Sequence, residues 1–325
     1  HEHATAHLIA ELFERHDRAK FELTAYSFGP ATDTPMRRRL IAAFDHFLDV
    51  RDRSDDEVAA LAIARETDIA VDLKGFSQSG RPGIFARRAA PIQVSFLGYP
   101  GTMGADYFDY LVADATLVPE GNQRHYAEKI AYLPESYQVN DTRRIIPETP
   151  IRRADHRLPD DAFVFCCFNN SYKIAPAIFD RWMRVLLRVP RRVLWLLHSN
   201  EWAERKLRTE AHQRGVAAER LIFAPRIPLP GHLARHRAAD LFLDTLPCNA
   251  HTTASDALWA GLPLITCAGE TFAGRVAASL LRAIRLPELI ASTPADYEAL
   301  AIELATNPAK LRVIIETDAG GDPDD

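Results

Sequence analysis

The sequence LFLDTLPCNAHTTASDALWAGLPLIT, residues 241–266, decides the fold of the second half of the chain. Its apolar start, 241–243, predicts a buried strand, and residues 244–250 predict a loop. Residues 252–260 predict a helix, and residues 262–266 the next strand. A strand that continues through a loop and a helix into another strand is typical of a parallel α/β sheet.

Polar side chains in this loop favour a nucleotide ligand. Asn249, His251, Thr252 and Thr253 lie just beyond the carboxyl end of the strand, where open parallel sheets bind ligands and unpaired helix N–H groups attract phosphate. Asp256 follows one turn later and is able to accept hydrogen bonds from a ribose. The simpler interpretation is an N-cap before a core helix. Capping accounts for only one of these residues, so the pattern indicates a nucleotide site.

Length and composition are those of a globular protein with two domains: 325 residues, 47% hydrophobic and 26% charged. A net charge of −5 disfavours nucleic acid as a partner. No stretch approaches the ~20 apolar residues of a membrane span, so no membrane partner is expected. The four cysteines form no CxxC pair and no plausible disulfide framework, which predicts a reducing, cytoplasmic location.

Strands and helices alternate through both halves. In the first half, strands are predicted at 21–28, 68–73, 92–97 and 110–114, and helices at 7–15, 36–44 and 55–66. In the second half, strands are predicted at 162–168, 192–197 and 220–225, and helices at 176–189, 201–215 and 231–239. The polar stretch 140–160 predicts a linker. This alternation predicts an α/β protein with two doubly wound, Rossmann-like domains, residues 1–145 and 146–325, and a cleft between them.

A second polar cluster follows a buried strand in FCCFNNSYKI, residues 165–174. A lysine at the carboxyl end of a strand, here Lys173, is a natural ligand for a pyrophosphate, because it holds a leaving nucleotide without a metal. Alone, Lys173 is more simply a surface residue beside a turn. Beside the 252–260 helix, the ligand interpretation is favoured. Further along, His232 and Arg235 share a helical face and could flank a base, although a surface histidine is the ordinary alternative.

The first half offers weaker signals. The loop in LGYPGTMGADYFDY, residues 97–110, brings backbone N–H groups close to a ligand through its Gly and Pro residues. It is not GxGxxG, so NAD is disfavoured. Asp72 ends a strand that faces the same cleft if the strands are parallel. His3 is favoured as a general base or substrate contact, and a metal is not expected, because no Asp, Glu or Cys ligand lies near it.

Six motifs together resemble the catalytic region of the O-linked N-acetylglucosamine transferases and their bacterial and plant relatives, from HATAHL to about residue 312. They are APIQVSFLGYPGTMGADYFDY, YAEKIAYLPESYQVND, FCCFNNSYKI, RVLWLL, CNAHTTASDALWAGLP and GETFAGRVAASLL. The resemblance implies a GT-B fold whose second domain holds most of a nucleotide sugar. It also implies an inverting transfer of GlcNAc from UDP-GlcNAc to Ser or Thr hydroxyls of proteins, with no metal or other cofactor. Tetratricopeptide repeats usually precede this region in the family.

The resemblance also implies roles for particular residues. Lys173 and Asn170 meet the diphosphate, His251, Thr252 and Thr253 bind phosphate, Asp256 binds the ribose, and His232 and Arg235 meet the uracil. The catalytic group comprises His3, Asp72 and Lys173. The sugar and the acceptor lie near His3, Asp72 and the loop of Gly98, Pro100, Gly101 and Thr102. Tyr172 and Cys248 belong to the same motifs and complete the predicted substrate contacts.

Departures from the family pattern leave alternatives open. Leu229 stands where the family often has Lys, and Phe76 where many members have His or Tyr. No strand precedes His3, which implies an unpaired sheet edge or a vacant sheet position, and the acidic end DAGGDPDD resembles a truncated tail, so a fragment cut at both ends is expected. The alternatives are a protein O-fucosyltransferase using GDP-fucose, an enzyme using UDP-glucose, and a nucleotide-sugar-binding fragment without turnover. The proton acceptor is left open among His3, Asp72 and a diphosphate oxygen.

Overall fold

A computed structural model describes residues 3–307 and 309–311, and the chain divides into two units between Arg144 and Ile145. Unit 1 contains the helices α1 (Ala4–Glu14), α2 (Pro35–Ala43), α3 (Asp55–Ala64) and α4 (Pro82–Ala86). Its strands are β1 (Thr24–Ser27), β2 (His46–Asp49), β3 (Ile69–Asp72), β4 (Ile92–Ser95), β5 (Tyr110–Ala113) and β6 (Lys129–Tyr132).

Helix starts in unit 1 follow local capping chemistry. Thr34 caps α2 by accepting from the Arg37 N–H, and Pro35 occupies the first helical turn. Ser54 and Glu57 form a reciprocal capping box at α3, whose first turn is acidic and so suits the positive end of the helix dipole. These signals lie within a few residues of one another, which is why both helices were predictable from sequence.

The strands of unit 1 form two parallel sheets, β1–β2 and β3–β4–β5–β6. Both contribute to one core, in which Tyr26 and Ala70 pack against buried residues such as Val58 and Phe85. Within the described residues, β1 pairs only with β2 and β3 only with β4, so each sheet has an open edge. On β3, Val71 remains 47% exposed.

Unit 2 contains one six-stranded sheet. Its helices are α5 (Pro176–Arg188), α6 (Glu201–Gln213), α7 (Leu229–Arg235), α8 (Thr252–Trp259), α9 (Val276–Ala283) and α10 (Pro294–Thr306). Its strands are β7 (Phe163–Cys167), β8 (Arg192–Leu197), β9 (Leu221–Ala224), β10 (Leu241–Leu243), β11 (Leu264–Cys267) and β12 (Ile290–Ala291). The strand order is β12–β11–β10–β7–β8–β9, and every neighbouring pair is parallel.

This order reverses direction between β7 and β10, which is the topological switch point of doubly wound nucleotide-binding sheets. The sheet is apolar on both faces because helices cover it, and Phe165, Phe242 and Trp195 are fully buried. The carboxyl ends of β7 and β10 therefore lie side by side at one end of the strands, where the sequence predicted a ligand.

The α/β class with parallel sheets is confirmed, but the prediction missed strands β2, β6 and β12 and helices α4, α9 and α10. The last strand of the opening segment begins at Leu264 rather than at Leu262, because Pro263 has no N–H for the ladder and its carbonyl instead accepts from Phe242. Strand β2 was missed because its two apolar residues, Phe47 and Leu48, are adjacent and do not alternate with polar ones. Within the described residues no helix is both long and apolar enough to cross a membrane.

Candidate functional site

Lys173 joins the two loops at the switch point of unit 2. It ends the short 3₁₀ turn Ser171–Lys173 that follows β7, and its Nζ donates to the backbone oxygen of Asn249, 2.6 Å away, in the loop after β10. The two polar clusters predicted from sequence therefore meet at one place. Asn249 itself is fully buried, so it contributes its carbonyl oxygen here and not an exposed side chain.

The loop after β10 is built around Asp244, which the sequence argument did not single out. Its Oδ1 accepts from the N–H groups of Thr245 at 2.7 Å and Ala250 at 2.6 Å, and its Oδ2 accepts from the Thr266 hydroxyl at 2.6 Å. Burial raises the pKa of Asp244 to about 7. An aspartate directly after an apolar strand was the available signal. This carboxyl fixes the path of residues 244–250, and hence the position of the Asn249 carbonyl.

A second chain of hydrogen bonds fixes the start of α8. The Thr253 hydroxyl donates to Oδ1 of Asn169, whose Nδ2 donates to the Thr245 hydroxyl at 2.7 Å. Thr245 in turn donates to the carbonyl of Cys248 at 2.7 Å. Because a hydroxyl has one hydrogen, Thr253 in this arrangement has its backbone N–H left to offer an anion.

The N-cap of α8 is His251, and no side chain caps this helix. The interpretation of the segment as an ordinary Ser or Thr cap is therefore wrong. Nε2 of His251 lies 3.1 Å from the Ala273 carbonyl, so this nitrogen carries the hydrogen. Burial, with the nearby charge of Lys173, lowers the pKa of His251 to about 3 and keeps the ring neutral. The first N–H groups of α8 remain free of side-chain caps at the place where a phosphate would bind.

His232, Arg235 and Asp256 form a buried cluster beside Phe168. Nη2 of Arg235 lies 2.5 Å from Nδ1 of His232, and its guanidinium stacks 4.3 Å from the Phe168 ring centre. Arginine only donates, so Nδ1 accepts and the His232 proton sits on Nε2, which faces Asp256 Oδ2 at 3.7 Å. Burial lowers the pKa of His232 to about 2 and that of Arg235 to about 10. Arg235 thus orients a neutral His232, and its predicted contact with a base stays a prediction.

The remaining predicted residues of unit 2 lie nearer the surface. Oδ1 of Asn170 accepts from Nη2 of Arg226, a residue that sequence reasoning missed. Tyr172 is 80% exposed beside Lys173, and Sγ of Cys248 lies 3.8 Å from the Asn249 carbonyl. The available signal for Arg226 was its position in the loop after an apolar strand, since Lys173 also lies in such a loop.

In unit 1, Asp72 ends β3 and organises the turn that follows. Its Oδ1 accepts from the N–H groups of Lys74 at 2.8 Å and Gly75 at 3.0 Å. Its Oδ2 is buried, with no hydrogen-bond partner in the described part of the chain, as is the hydroxyl of Ser95 at the paired position of β4. Burial raises the pKa of Asp72. Such a carboxylate has capacity left for one more donor.

His3 lies close to the Asp72 turn. It is the N-cap of α1, and its Nδ1 accepts from the Thr5 N–H at 3.2 Å. Burial lowers the pKa of His3, and the charge of Lys74 lowers it further, while the same Lys74 charge acts on Asp72 in the opposite sense to burial. The two predicted catalytic residues of unit 1 therefore share one electrostatic neighbour.

The loop predicted at residues 98–102 packs tightly against the same turn. A Cβ on Gly98 would lie 1.9 Å from the Leu73 carbonyl, so only glycine fits there. The Gly101 N–H donates to the Tyr99 carbonyl at 3.1 Å, across Pro100, and the Thr102 hydroxyl donates to Glu128 at 2.6 Å. Thr102 is thus engaged within unit 1, and its predicted substrate contact stays a prediction.

In the described ranges, 3–307 and 309–311, no group of three or more His, Cys, Asp or Glu side chains could hold a metal ion. The parallel α/β units and the open switch point of unit 2 are those of a nucleotide-binding enzyme class. Among solved structures, a variant of the Thermobaculum terrenum O-GlcNAc transferase matches with a TM-score of 0.88 and 33% identity, over 98% of this chain and 60% of that chain. Sucrose-phosphate synthase from Thermosynechococcus elongatus shares the fold alone, with a TM-score of 0.54 and 13% identity, over 84% of this chain and 75% of that one. The chain thus has the GT-B glycosyltransferase fold.

The particular family follows from sequence. The model of glycosyl transferase family 41 matches residues 1–152 and 149–317, and the chain belongs to this family. A probable UDP-N-acetylglucosamine–peptide N-acetylglucosaminyltransferase SEC of Arabidopsis thaliana is 39% identical over 96% of this chain and 32% of its own length. The corresponding transferase of Caenorhabditis elegans is 29% identical over 95% of this chain and 37% of its own length. The chain therefore spans about a third of these curated relatives.

Proposed function

We propose that this chain carries out an inverting, metal-independent transfer of GlcNAc from UDP-GlcNAc to Ser or Thr hydroxyls of proteins. The observation that carries the proposal is the junction of Lys173 with the Asn249 carbonyl beside the uncapped start of α8. Within residues 3–307 and 309–311 Lys173 has no carboxylate partner, so its charge is available to an anion. The names of the relatives support GlcNAc as the sugar.

The proposal gives the two units different roles. Unit 2 binds the donor: the diphosphate meets Lys173 and the first N–H groups of α8, and the uridine lies near His232 and Asp256. Unit 1 supplies His3, Asp72 and the 98–102 loop for the sugar and the acceptor. A cytoplasmic location belongs to the same proposal, because the cysteine pattern of the sequence suits a reducing compartment.

In the proposed reaction, the acceptor oxygen forms a bond to the anomeric carbon while the bond from that carbon to the diphosphate oxygen breaks. Negative charge grows on the departing diphosphate. In this proposal the Lys173 ammonium and the α8 N–H groups meet this charge from positions that hydrogen bonds hold before the reaction, so they stabilise it without reorganisation. This electrostatic stabilisation is the main contribution of unit 2 to the rate.

The acceptor hydroxyl must lose its proton. His3 is a candidate because burial lowers its pKa and so favours the neutral ring, which is able to accept a proton. Asp72 is a candidate because its Oδ2 is unpartnered among the described residues. A diphosphate oxygen of the donor is the third candidate. A pH–rate profile that loses its acidic limb in His3→Gln assigns the proton acceptor to His3, and an unchanged profile excludes it.

The proposal is tested by calorimetric titration of UDP, UDP-GlcNAc and GDP-fucose into the chain and into Lys173→Ala. UDP and UDP-GlcNAc are expected to bind, and Lys173→Ala to weaken both by about 100-fold, since a charge-assisted contact is lost. Lys206→Ala is the matched control, because Lys206 pairs with Glu210 on the surface of α6.

Each other result has a defined meaning. Tight binding of GDP-fucose in place of the UDP compounds overturns the GlcNAc assignment. Transfer to an acceptor peptide is measured by mass spectrometry. Binding of UDP-GlcNAc without transfer would identify the chain as a nucleotide-sugar-binding fragment without turnover. Lack of binding in a sample whose circular dichroism shows a folded chain rejects the donor site.

A further inference from the structure

Arg226 lies at the same edge of the unit 2 sheet as Lys173 but has no role in the function proposed above. It follows β9 by two residues, and β9 is joined through β8 to β7, whose loop carries Asn170. Because these strands are parallel, their carboxyl ends all lie at the same end of the sheet. Nη2 of Arg226 bridges the two loops by donating to Oδ1 of Asn170.

The charge of Arg226 is exposed, and no carboxylate neutralises it among the residues that the structure describes. In the ranges that the structure describes, Arg226 forms no ion pair, whereas Arg208 and Arg214 of the same unit are paired with Glu204 and Glu210. Burial is the main reason for the lowered pKa values of His232 and Arg235, and the positive charge of Arg226 lowers both further. Arg226 therefore belongs electrostatically to the predicted nucleotide site.

The bond to Arg226 also decides which way the Asn170 amide faces. A guanidinium has only donors, so the atom of Asn170 that it contacts must be the oxygen. The Nδ2 amide group of Asn170 is then the end left for a ligand, and it can only donate. Asn170 presented in this way is suited to an anion and unsuited to a cation or to another donor.

The family resemblance already implies that Asn170 meets the diphosphate of the donor. We propose that Arg226 is a further residue of this contact, which positions the Asn170 amide and adds positive charge separately from Lys173. Arg226 contributes positive charge and holds the Asn170 amide, and Nδ2 of Asn170 donates to a phosphate oxygen. This inference rests on the nucleotide-sugar function proposed above, but it concerns residues that can be removed without touching Lys173 or the start of α8.

The test measures binding of uridine, UMP, UDP and inorganic pyrophosphate to the chain, to Arg226→Gln and to Arg226→Lys. Arg226→Gln is expected to weaken UDP and pyrophosphate by about tenfold and uridine by less than about twofold, because only the phosphates lose a charge-assisted contact. Arg226→Lys keeps the charge but not the planar fork, so its loss is expected to be smaller. The loss should shrink as ionic strength rises.

Arg191→Gln is the matched control. Arg191 is also exposed. It precedes β8 and therefore lies at the amino end of the strands, opposite to the end where Arg226 lies. It removes the same charge from unit 2, and it is expected to leave UDP binding unchanged. An equal loss of UDP affinity in Arg191→Gln would reduce the effect of Arg226 to net charge and overturn the proposal.

A double-substitution cycle tests the orienting role of Arg226. Asn170→Ala alone should weaken UDP, and Asn170→Ala combined with Arg226→Gln should weaken it by less than the product of the two single effects. Independent, multiplying effects overturn the orienting role. Unchanged UDP affinity in Arg226→Gln, with a large loss in Lys173→Ala, overturns this inference and leaves the donor site intact. If the unaltered folded chain binds none of the phosphates, the donor site fails, and this inference fails with it.

Discussion

The two units place an aspartate at the same point of a parallel strand, and they use it differently. Asp244 follows β10 in unit 2, and both of its carboxyl oxygens are hydrogen-bonded, to partners that include Ala250 and Thr266. Asp72 ends β3 in unit 1, and only its Oδ1 accepts hydrogen bonds from the turn, while Oδ2 has no partner in the described residues. The first carboxyl is saturated by the fold, and the second retains capacity for a ligand.

This difference separates a structural role from a chemical one. In unit 2 the buried Asp244 carboxyl fixes the loop 244–250. This loop positions the Asn249 carbonyl beside the start of α8. Around Asp72 the sheet is open at β3 and a buried oxygen is unsatisfied. Buried polar groups are normally hydrogen-bonded, so an unsatisfied one marks either a ligand contact or strain. If the proposed function holds, donor binding should therefore depend on the rigidity of unit 2, and acceptor chemistry on the unpartnered oxygen of Asp72 in unit 1.

The largest expected effect is that of Asp244→Ala on the stability of unit 2. It leaves three buried donors without an acceptor, and at about 1–3 kcal/mol each the free energy of unfolding should fall by about 4 kcal/mol. All four tryptophans, Trp182, Trp195, Trp202 and Trp259, lie in unit 2. Urea unfolding followed by tryptophan fluorescence therefore reports on this unit alone.

Two controls accompany Asp244→Ala. Asp244→Asn keeps an acceptor for Thr245 and Ala250 and a donor for Thr266, so its loss should stay below about 1.5 kcal/mol. Asp72→Ala should lower the stability of unit 1, followed by circular dichroism, by about 1–2 kcal/mol, because two backbone donors lose an acceptor. Equal losses in Asp244→Ala and Asp72→Ala would contradict the distinction between a saturated and an open carboxyl.

The next effect is a loss of unit 2 stability in mild acid. Burial lowers the pKa of His232 to about 2, of His236 to about 4 and of His251 to about 3. In the unfolded chain a histidine titrates near 6.5, so below that pH unfolding takes up protons and becomes more favourable. Asp244 acts in the opposite direction, since its raised pKa of about 7 makes the folded state bind a proton first.

Three histidines outweigh one carboxyl, so the free energy of unfolding of unit 2 should fall by about 2 kcal/mol between pH 6.5 and 5.5. The histidine contribution is complete above pH 6.5 and is lost as the pH falls towards the folded values. His236→Gln removes one of the three and should flatten the slope by about a third of the histidine part. If the free energy of unfolding, measured by tryptophan fluorescence, stays constant over this interval, the three histidine rings are protonated in the folded state and the prediction is wrong.

Sequence alone located those site residues that interrupt an apolar pattern. Lys173 and the His251–Thr253 segment were found because polar residues directly follow buried strands, and strand direction then brings them together. The helix boundaries at Thr34 and Ser54 were predictable because capping is local. Gly215, with a φ of +79°, likewise follows the C-cap Arg214 of α6, a position where glycine commonly ends a helix.

Residues whose role depends on distant partners were not found. Asp244 matters because Thr266, 22 residues further on, reaches its carboxyl, and Arg226 matters because it meets Asn170 across 56 residues of sequence. The position of each residue after an apolar strand is visible in the sequence, but its pairing with a distant residue leaves no local signature. Arg235 shows the converse: its helical face was predicted, but its stacking on Phe168 and its burial follow only from the packed structure.

The smallest effect compares one substitution in a central strand of unit 2 with the same substitution in an edge strand of unit 1. Val164 on β7 is fully buried, and Val71 on β3 is half exposed at an open sheet edge. Val→Thr keeps the shape of the side chain but adds a hydroxyl, which needs a hydrogen-bond partner when water is excluded. Val164→Thr should lower the unfolding free energy of unit 2 by about 2 kcal/mol, and Val71→Thr should change that of unit 1 by less than about 0.5 kcal/mol. A loss at Val71 as large as that at Val164 would mean that the β3 edge is covered in solution, and the contrast between a closed sheet and an open one would fail at that edge.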